Sequence, residues 1–299
     1  MNKTNRVSCW RTIIISAVCY LSTLTSVQAG VIVTEWEFDT WAEFTAASFT
    51  GGTGTTNFSD YELSWGADGG DYASPTGDAS DNQSALTIGT GTSGDDRFGG
   101  GHVTGTVDTI LGFAPPTPPD EIGLGVSMTH WNNPINSNFS FLSSGTLTDH
   151  LTLTALSPYA GSTEPAPTLD IMFNFLETPN AGSGGFCLDG SAVPAAGCGD
   201  LFGFDNISTS GIPFTYDGVD YGLDILVFDE FGGAAPIEAL GADYCAALGL
   251  SATCVGFVTP EDEHTSLQFG FSVRQVPESS TIALLAIALI SLSLRKQKR

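Results

Sequence analysis

Cations are scarce in this chain. Its 299 residues hold 9 Lys and Arg against 33 Asp and Glu. Three of the cations, Lys3, Arg6 and Arg11, lie in the first stretch, and four, Arg295, Lys296, Lys298 and Arg299, in the last. Between residues 30 and 275 only Arg97 and Arg274 remain, against 32 acids, a balance of about −30. Such a surface repels phosphate backbones, which excludes nucleic acid as a partner. It favours solubility and attracts cations such as Ca²⁺. Histidine is scarce too: His102, His130, His150 and His264 are scattered, and no two stand at i, i+4. There is no G-x-S-x-G and no H-E-x-x-H, so nucleophile and zinc-protease signatures are missing. Carboxylates are so numerous that a pair of them is no argument for glycosidase chemistry. A chain that is not an enzyme is the expectation.

The two ends differ from the middle. At the N-terminus a basic stretch precedes an apolar run over 13–24 and a small-x-small site, Val27-Gln28-Ala29. This reads as a secretory signal peptide over 1–29. At the C-terminus Val276-Pro277-Glu278-Ser279-Ser280 precedes a 14-residue uncharged run over 281–294 and then the four closing cations. A relaxed span needs roughly 17–25 residues, so this one is short. The cationic flank should stay cytoplasmic, with the rest of the chain on the far side. The three-part order resembles the PEP-CTERM sorting signal of Gram-negative bacteria, which carries Val-Pro-Glu-Pro, a short apolar helix and an Arg-rich end. Pro277 and Glu278 are kept, and Ser279 stands where the family usually has its second Pro. The resemblance implies recognition by an exosortase, with Pro277, Glu278 and Ser279 at the processing site and 276–299 as the sorting segment.

Cysteine usage fits an exported domain over 30–275. Cys9 and Cys19 lie in the signal segment, leaving Cys187, Cys198, Cys245 and Cys254. Four cysteines permit three pairings. Proximity favours 187 with 198 and 245 with 254. The gaps are too long for the C-x₂₋₄-C spacing of zinc sites.

The middle is mostly of period two. Residues 31–38 put Ile32, Trp36 and Phe38 on one face; 41–49 fit either a helical turn or a second strand. Residues 51–105 are rich in Gly, Ser, Thr, Asn and Asp and read as loop, with apolar islands at 61–65 and 85–88. A further strand is expected over 103–113, before Pro115-Pro116-Thr117-Pro118-Pro119. Ile122, Leu124, Val126 and Met128 alternate cleanly. So do 147–156, then Leu169, Ile171, Phe173 and Phe175, and finally Leu267, Phe269, Phe271 and Val273, with Ser266, Gln268, Ser272 and Arg274 facing outward. Residues 224–228 form a short apolar strand, and only 237–250 look helical. Seven to ten strands with Gly/Pro/Asn turns predict an all-β chain, an antiparallel, jelly-roll-like β-sandwich with long Gly/Asp-rich loops.

One internal stretch stands out: Ser127-Met128-Thr129-His130-Trp131-Asn132-Asn133-Pro134. By parity His130 shares the side of Met128, just past the strand end. Thr129, His130, Trp131 and Asn132 resemble the signature of the THxN subgroup of PEP-CTERM proteins, a family defined by its pattern. Two readings stay open. His130 and Asn132 anchor a strand corner through buried hydrogen bonds, or His130, Trp131 and Asn132 form a small ligand site with an aromatic platform. No cofactor is expected beyond Ca²⁺. Hard oxygen ligands on turns, Asp217, Asp220 and Asp224, and Asp78 with Asp81 and Asn82, are its candidates, although none fits an EF-hand loop. The expectation is an exported, exosortase-processed protein, held transiently in the inner membrane and delivered to the cell surface or extracellular matrix. Its partners would be exosortase, the secretion machinery and exopolysaccharide, as in a biofilm, and its role structural or binding. The alternative is a secreted hydrolase of polysaccharide with a carboxylate site.

Overall fold

The computed structural model describes residues 30–72, 82–180, 185–188, 190–195, 197–205, 210–229 and 237–277. The segments read as signal peptide and membrane helix lie outside these residues, as do Asp78, Asp81, Glu278, Ser279, Arg295, Lys296, Lys298 and Arg299. Among the described residues no helix is long and apolar enough to cross a membrane.

Just over half of the described residues lie in strands, and very few in helix. β1 (Glu35–Phe49) is followed by β2 (Thr55–Phe58), β3 (Glu62–Gly66), β4 (Gln83–Gly89) and β5 (Val103–Ile110). Next come β6 (Gly123–Asn132), β7 (Leu142–Ser157), β8 (Thr163–Pro165), β9 (Leu169–Leu176) and β10 (Asp200–Phe204). β11 (Ile212–Tyr216), β12 (Val219–Asp229), β13 (Glu238–Ala239), β14 (Val255–Thr259) and β15 (Glu263–Gln275) complete the set. The all-β class therefore matches expectation, with more strands than the sequence pattern predicts. The stretch 41–49 is the second half of β1, and the loop-like region 51–105 contains β2, β3 and β4. The helix expected over 237–250 is cut to α1 (Ala242–Ala247). Gly241 bounds it on one side, and Gly249, at φ +70, ends it on the other, a conformation glycine adopts without strain.

Two separate antiparallel sheets were expected; the strands instead form one continuous mixed sheet. Its order is β13-β14-β10-β9-β7-β1-β5-β15-β6-β4-β3-β2, with β12 and β11 on the other edge of β15 and β8 on β7. The link is β5. Val103 to Asp108 pair antiparallel with β1, and then Thr109 and Ile110 pair parallel with Val273 and Arg274 of β15. A buried staple fixes this corner: Trp36 Nε1 donates to Thr109 Oγ1 at 2.8 Å, and Thr109 Oγ1 donates to the Val33 carbonyl at 2.7 Å.

The sheet folds so that its halves face each other, and two apolar clusters fill the interior. One takes Phe44, Leu147, Phe173 and Phe202 from one half with Trp65, Met128 and Leu267 from the other. The second joins Trp36, Phe38 and Leu153 to Tyr221, Phe271 and Val273. The long strands β1, β7 and β15 run through both clusters.

Parity fails at two places. Leu124 is 49% exposed while Val126 and Met128 are buried. There three steps of β6, Leu124 to Ser127, face two of β15, Gly270 to Gln268, a bulge in β6 that turns the side chains before it to the other face. Ser266 and Ser272, expected outside, are buried.

Both disulfides join neighbours in sequence, Cys187 to Cys198 and Cys245 to Cys254, with Cα atoms 5.7 Å apart in each. The second ties α1 to the start of β14. Replacing Cys245 and Cys254 together by Ala should cost about 2–3 kcal/mol, the chain-entropy value for so short a loop. Urea unfolding of both proteins under non-reducing conditions measures it, and an unchanged midpoint would show that the bond adds no stability.

Candidate functional site

The stretch 129–132 lies within β6, not beyond its end, and all four side chains are buried. Alternation sends Thr129 and Trp131 to one face and His130 and Asn132 to the other. Thr129 Oγ1 meets Ser266 Oγ at 2.9 Å. Trp131 Nε1 donates to Thr87 Oγ1 at 3.0 Å. Its ring is covered by Phe98, stacked at 5.2 Å, and by the Arg97 guanidinium at 5.6 Å. At 3% exposure, Trp131 offers no open platform.

His130 faces inward and makes no corner network. Neither ring nitrogen has a hydrogen-bond partner. The ring stacks on Trp65 at 6.2 Å and meets Phe175 and Phe202 at 5.3 and 5.7 Å. Burial lowers its pKa to about 3, so it is neutral near pH 7 and packs as an aromatic residue. Asn132, the next inward residue, donates from Nδ2 to the Thr259 carbonyl at 2.9 Å. Its Oδ1 has no partner.

Next to this motif lies a group of residues that the sequence reading passed over. Phe175, Phe202 and Phe257 stand in one row across β9, β10 and β14. Two residues further on the same inward face come Asp200 and Thr259, and Glu177 stands just past the end of β9. Asp200 pairs directly with Thr259. Above the aromatic row sits His130, and above the oxygen row Asn132. The turn after β14 adds Glu261, 3% exposed. The row is held in place by Thr178, whose backbone N–H donates to Asp200 Oδ1 at 2.9 Å, and by Trp65, whose Nε1 donates to Glu177 Oε2 at 3.4 Å.

Glu177 and Asp200 meet carboxyl to carboxyl, an arrangement that requires a proton or a cation between them. Desolvation, then the charges of Asp200 and Glu261, hold Glu177 well above the carboxylate range. Desolvation raises Asp200 to about 7 and, with Asp200 nearby, Glu261 to about 9. The signal for this row was in the sequence: the inward series Phe173, Phe175 continues onto Glu177, and Asp200 opens the series Phe202, Phe204.

The turn acids do not assemble. Asp217, at φ 48, forms the β11–β12 hairpin turn with Gly218 at φ 76. Its Oδ2 accepts from Tyr159 at 2.7 Å. Asp220 accepts from Thr215 at 2.8 Å. Asp224 accepts from the Gly211 N–H and pairs with Arg274 at 3.6 Å. Each therefore has a separate structural partner. The other histidines stay apart from the row: His102 and His150 stack on Trp41, and His264 lies against Trp131. A cleft of about 490 Å³ opens beside the row, walled by Ile135, Phe141, Glu177 and Thr178.

No family model matches this chain, and no curated protein matches it.

Two predictions follow from the buried polar groups. His130→Leu keeps the volume and removes two unpartnered nitrogens, so stability should hold or rise. His130→Ala leaves a cavity and should lose roughly 2–4 kcal/mol; thermal and urea unfolding separate the two. The second concerns pH. Because Asp200 and Glu261 bind protons more tightly folded than unfolded, their contribution is complete below the ordinary carboxylate range. It is lost as pH climbs to about 7 for Asp200 and about 9 for Glu261. His130 acts oppositely, but only below its ordinary 6.5. In metal-free buffer the urea midpoint should therefore fall between pH 7 and 9, and Glu261→Gln should flatten that fall. A flat wild-type profile would show that Glu261 stays ionised in the fold.

Proposed function

We propose that this chain is an exported, exosortase-processed protein of the cell surface or extracellular matrix, associated with exopolysaccharide and structural or binding in role. The two disulfides carry this reading, since such bonds form and persist in oxidising compartments. The ends support it. A basic, apolar, small-x-small start suits export, and the Pro-Glu, apolar and cationic tail suits PEP-CTERM sorting. β15 ends at Gln275, and Pro277 follows two residues later, so a cut near 277–280 would spare every strand. The folded sheet is then displayed outside the cell.

A polysaccharide hydrolase is the second reading, favoured by Glu177 beside the 490 Å³ cleft. Glycosidases keep their two carboxyls roughly 5–10 Å apart so that sugar or water fits between them. Here Glu177 and Asp200 touch, and Asp200 is fully buried. The binding or structural reading is the stronger.

The tail supplies the test. Replacing Arg295, Lys296, Lys298 and Arg299 by neutral residues should impair membrane retention and processing, followed by fractionation and the mass of the mature protein. Mature protein of unchanged size and location would refute the sorting role.

A further inference from the structure

We propose that Glu177, Asp200, Asn132 and Thr259 form a buried calcium site that locks the end of the folded sheet, with Glu261 as a neighbouring charge. The proposal is independent of the export reading. It begins with placement. Asp200 and Thr259 pair on the adjacent strands β10 and β14, directly beyond the phenylalanine row, and Glu177 is the first residue past the end of β9. Asn132 reaches the same level from the facing half of the sheet, pinned there by its bond to the Thr259 carbonyl.

The second observation is independent of the acids. Asn132 and Thr259 are neutral and fully buried, yet Asn132 Oδ1 and Thr259 Oγ1 have no hydrogen-bond partner. The Asn132 amide has already committed its donor side to the Thr259 carbonyl, so only its acceptor oxygen is left to face the row. A buried acceptor without a partner costs roughly 1–3 kcal/mol. Glu177 Oε1, Asp200 Oδ2 and both Glu261 oxygens also lack partners. A proton shared between Glu177 and Asp200 serves that pair but leaves Asn132 Oδ1 and Thr259 Oγ1 unserved. One cation serves all four residues.

Among the described residues no Lys or Arg supplies such a cation. Arg97 donates to the Thr92 carbonyl and covers Trp131, on the opposite face of β6. Arg274 is bound to the Gly112 and Ala114 carbonyls and to Asp224. The donors of the row are all oxygens, which suits a hard cation. Ca²⁺ accepts six to eight of them in flexible geometry, whereas Mg²⁺ demands a near-ideal octahedron and sheds water reluctantly. Among the described residues no three His, Cys, Asp or Glu side chains group to hold a metal. The inner set is therefore two carboxylates with neutral oxygens, which balances a divalent charge. The cleft walled by Glu177 and Thr178 gives the ion its way in.

The test uses the full chain stripped with a chelator. Ca²⁺ should raise Tm in a saturable way, and Mg²⁺ at the same concentration much less. Tb³⁺ should luminesce on excitation of tryptophan, because Trp65 touches Glu177, and Ca²⁺ should quench that signal. Glu177→Gln and Asp200→Asn should abolish both responses. Should either fail to fold, Thr259→Val keeps the shape and should weaken Ca²⁺ about tenfold or more. Asp217→Asn, in the hairpin turn, should respond like wild type. No Tm shift and no sensitised luminescence would overturn the site. So would responses that survive in Glu177→Gln, Asp200→Asn and Thr259→Val, which would mark diffuse binding to the acidic surface.

Discussion

The long antiparallel pairing of β1 with β7 is what the rest of the molecule leans on. It runs from Glu35 opposite Ser157 to Phe49 opposite Leu142, so each strand alone spans both apolar clusters. Trp36, Phe38, Ala42 and Phe44 point inward along it, and every other strand packs onto or extends that ribbon. β9 and β8 share the free edge of β7, and β5 takes the free edge of β1 before turning the corner to β15. A ribbon of this length has to twist, and a twisted sheet this wide folds over itself more readily than it lies flat.

Against that apolar frame the motif 129–132 acts as a two-sided fastener. Thr129 and Trp131 tie β6 to β15 and β4 on one face, and His130 and Asn132 meet the facing half of the sheet on the other. Aromatic packing and polar satisfaction are handed to alternate residues, which a strand does by geometry alone. His130 closes the aromatic layer without any hydrogen bond. Asn132 begins the polar one. The change from carbon to oxygen happens in a single step along β6, β10 and β14 and just past the end of β9, where the interior ends and the turns begin.

The fold class was legible because period-two runs such as Phe173 and Phe175, or Leu267 to Val273, admit few other structures. What stayed hidden needed long-range information. The bulge in β6 between Leu124 and Ser127 that turned Leu124 outward leaves the apolar alternation of the sequence unbroken. Ser266 and Ser272 look like surface residues, yet a serine is short enough to be submerged between taller neighbours on a strand flanked by others. The corner at β5 depends on a parallel pairing between residues about 160 positions apart, which no local pattern encodes. The site was half legible. Thr129 to Asn132 stood out by composition. Glu177, Asp200 and Thr259 did not, because each ends or begins an apolar series as a turn residue would, and only register brings them together.

β15 is the last strand among the described residues and one of the most central, with β12 along one edge and β6, then β5, along the other. A chain threaded through a pore from its N-terminus would thus deliver its keystone last. Until then β6 and β12 wait with open edges, and long-range pairing of this kind closes slowly. The same position governs the response to force. Tension applied beyond Gln275 is borne by a strand paired on both sides, so detaching it means breaking two ladders together rather than peeling one edge.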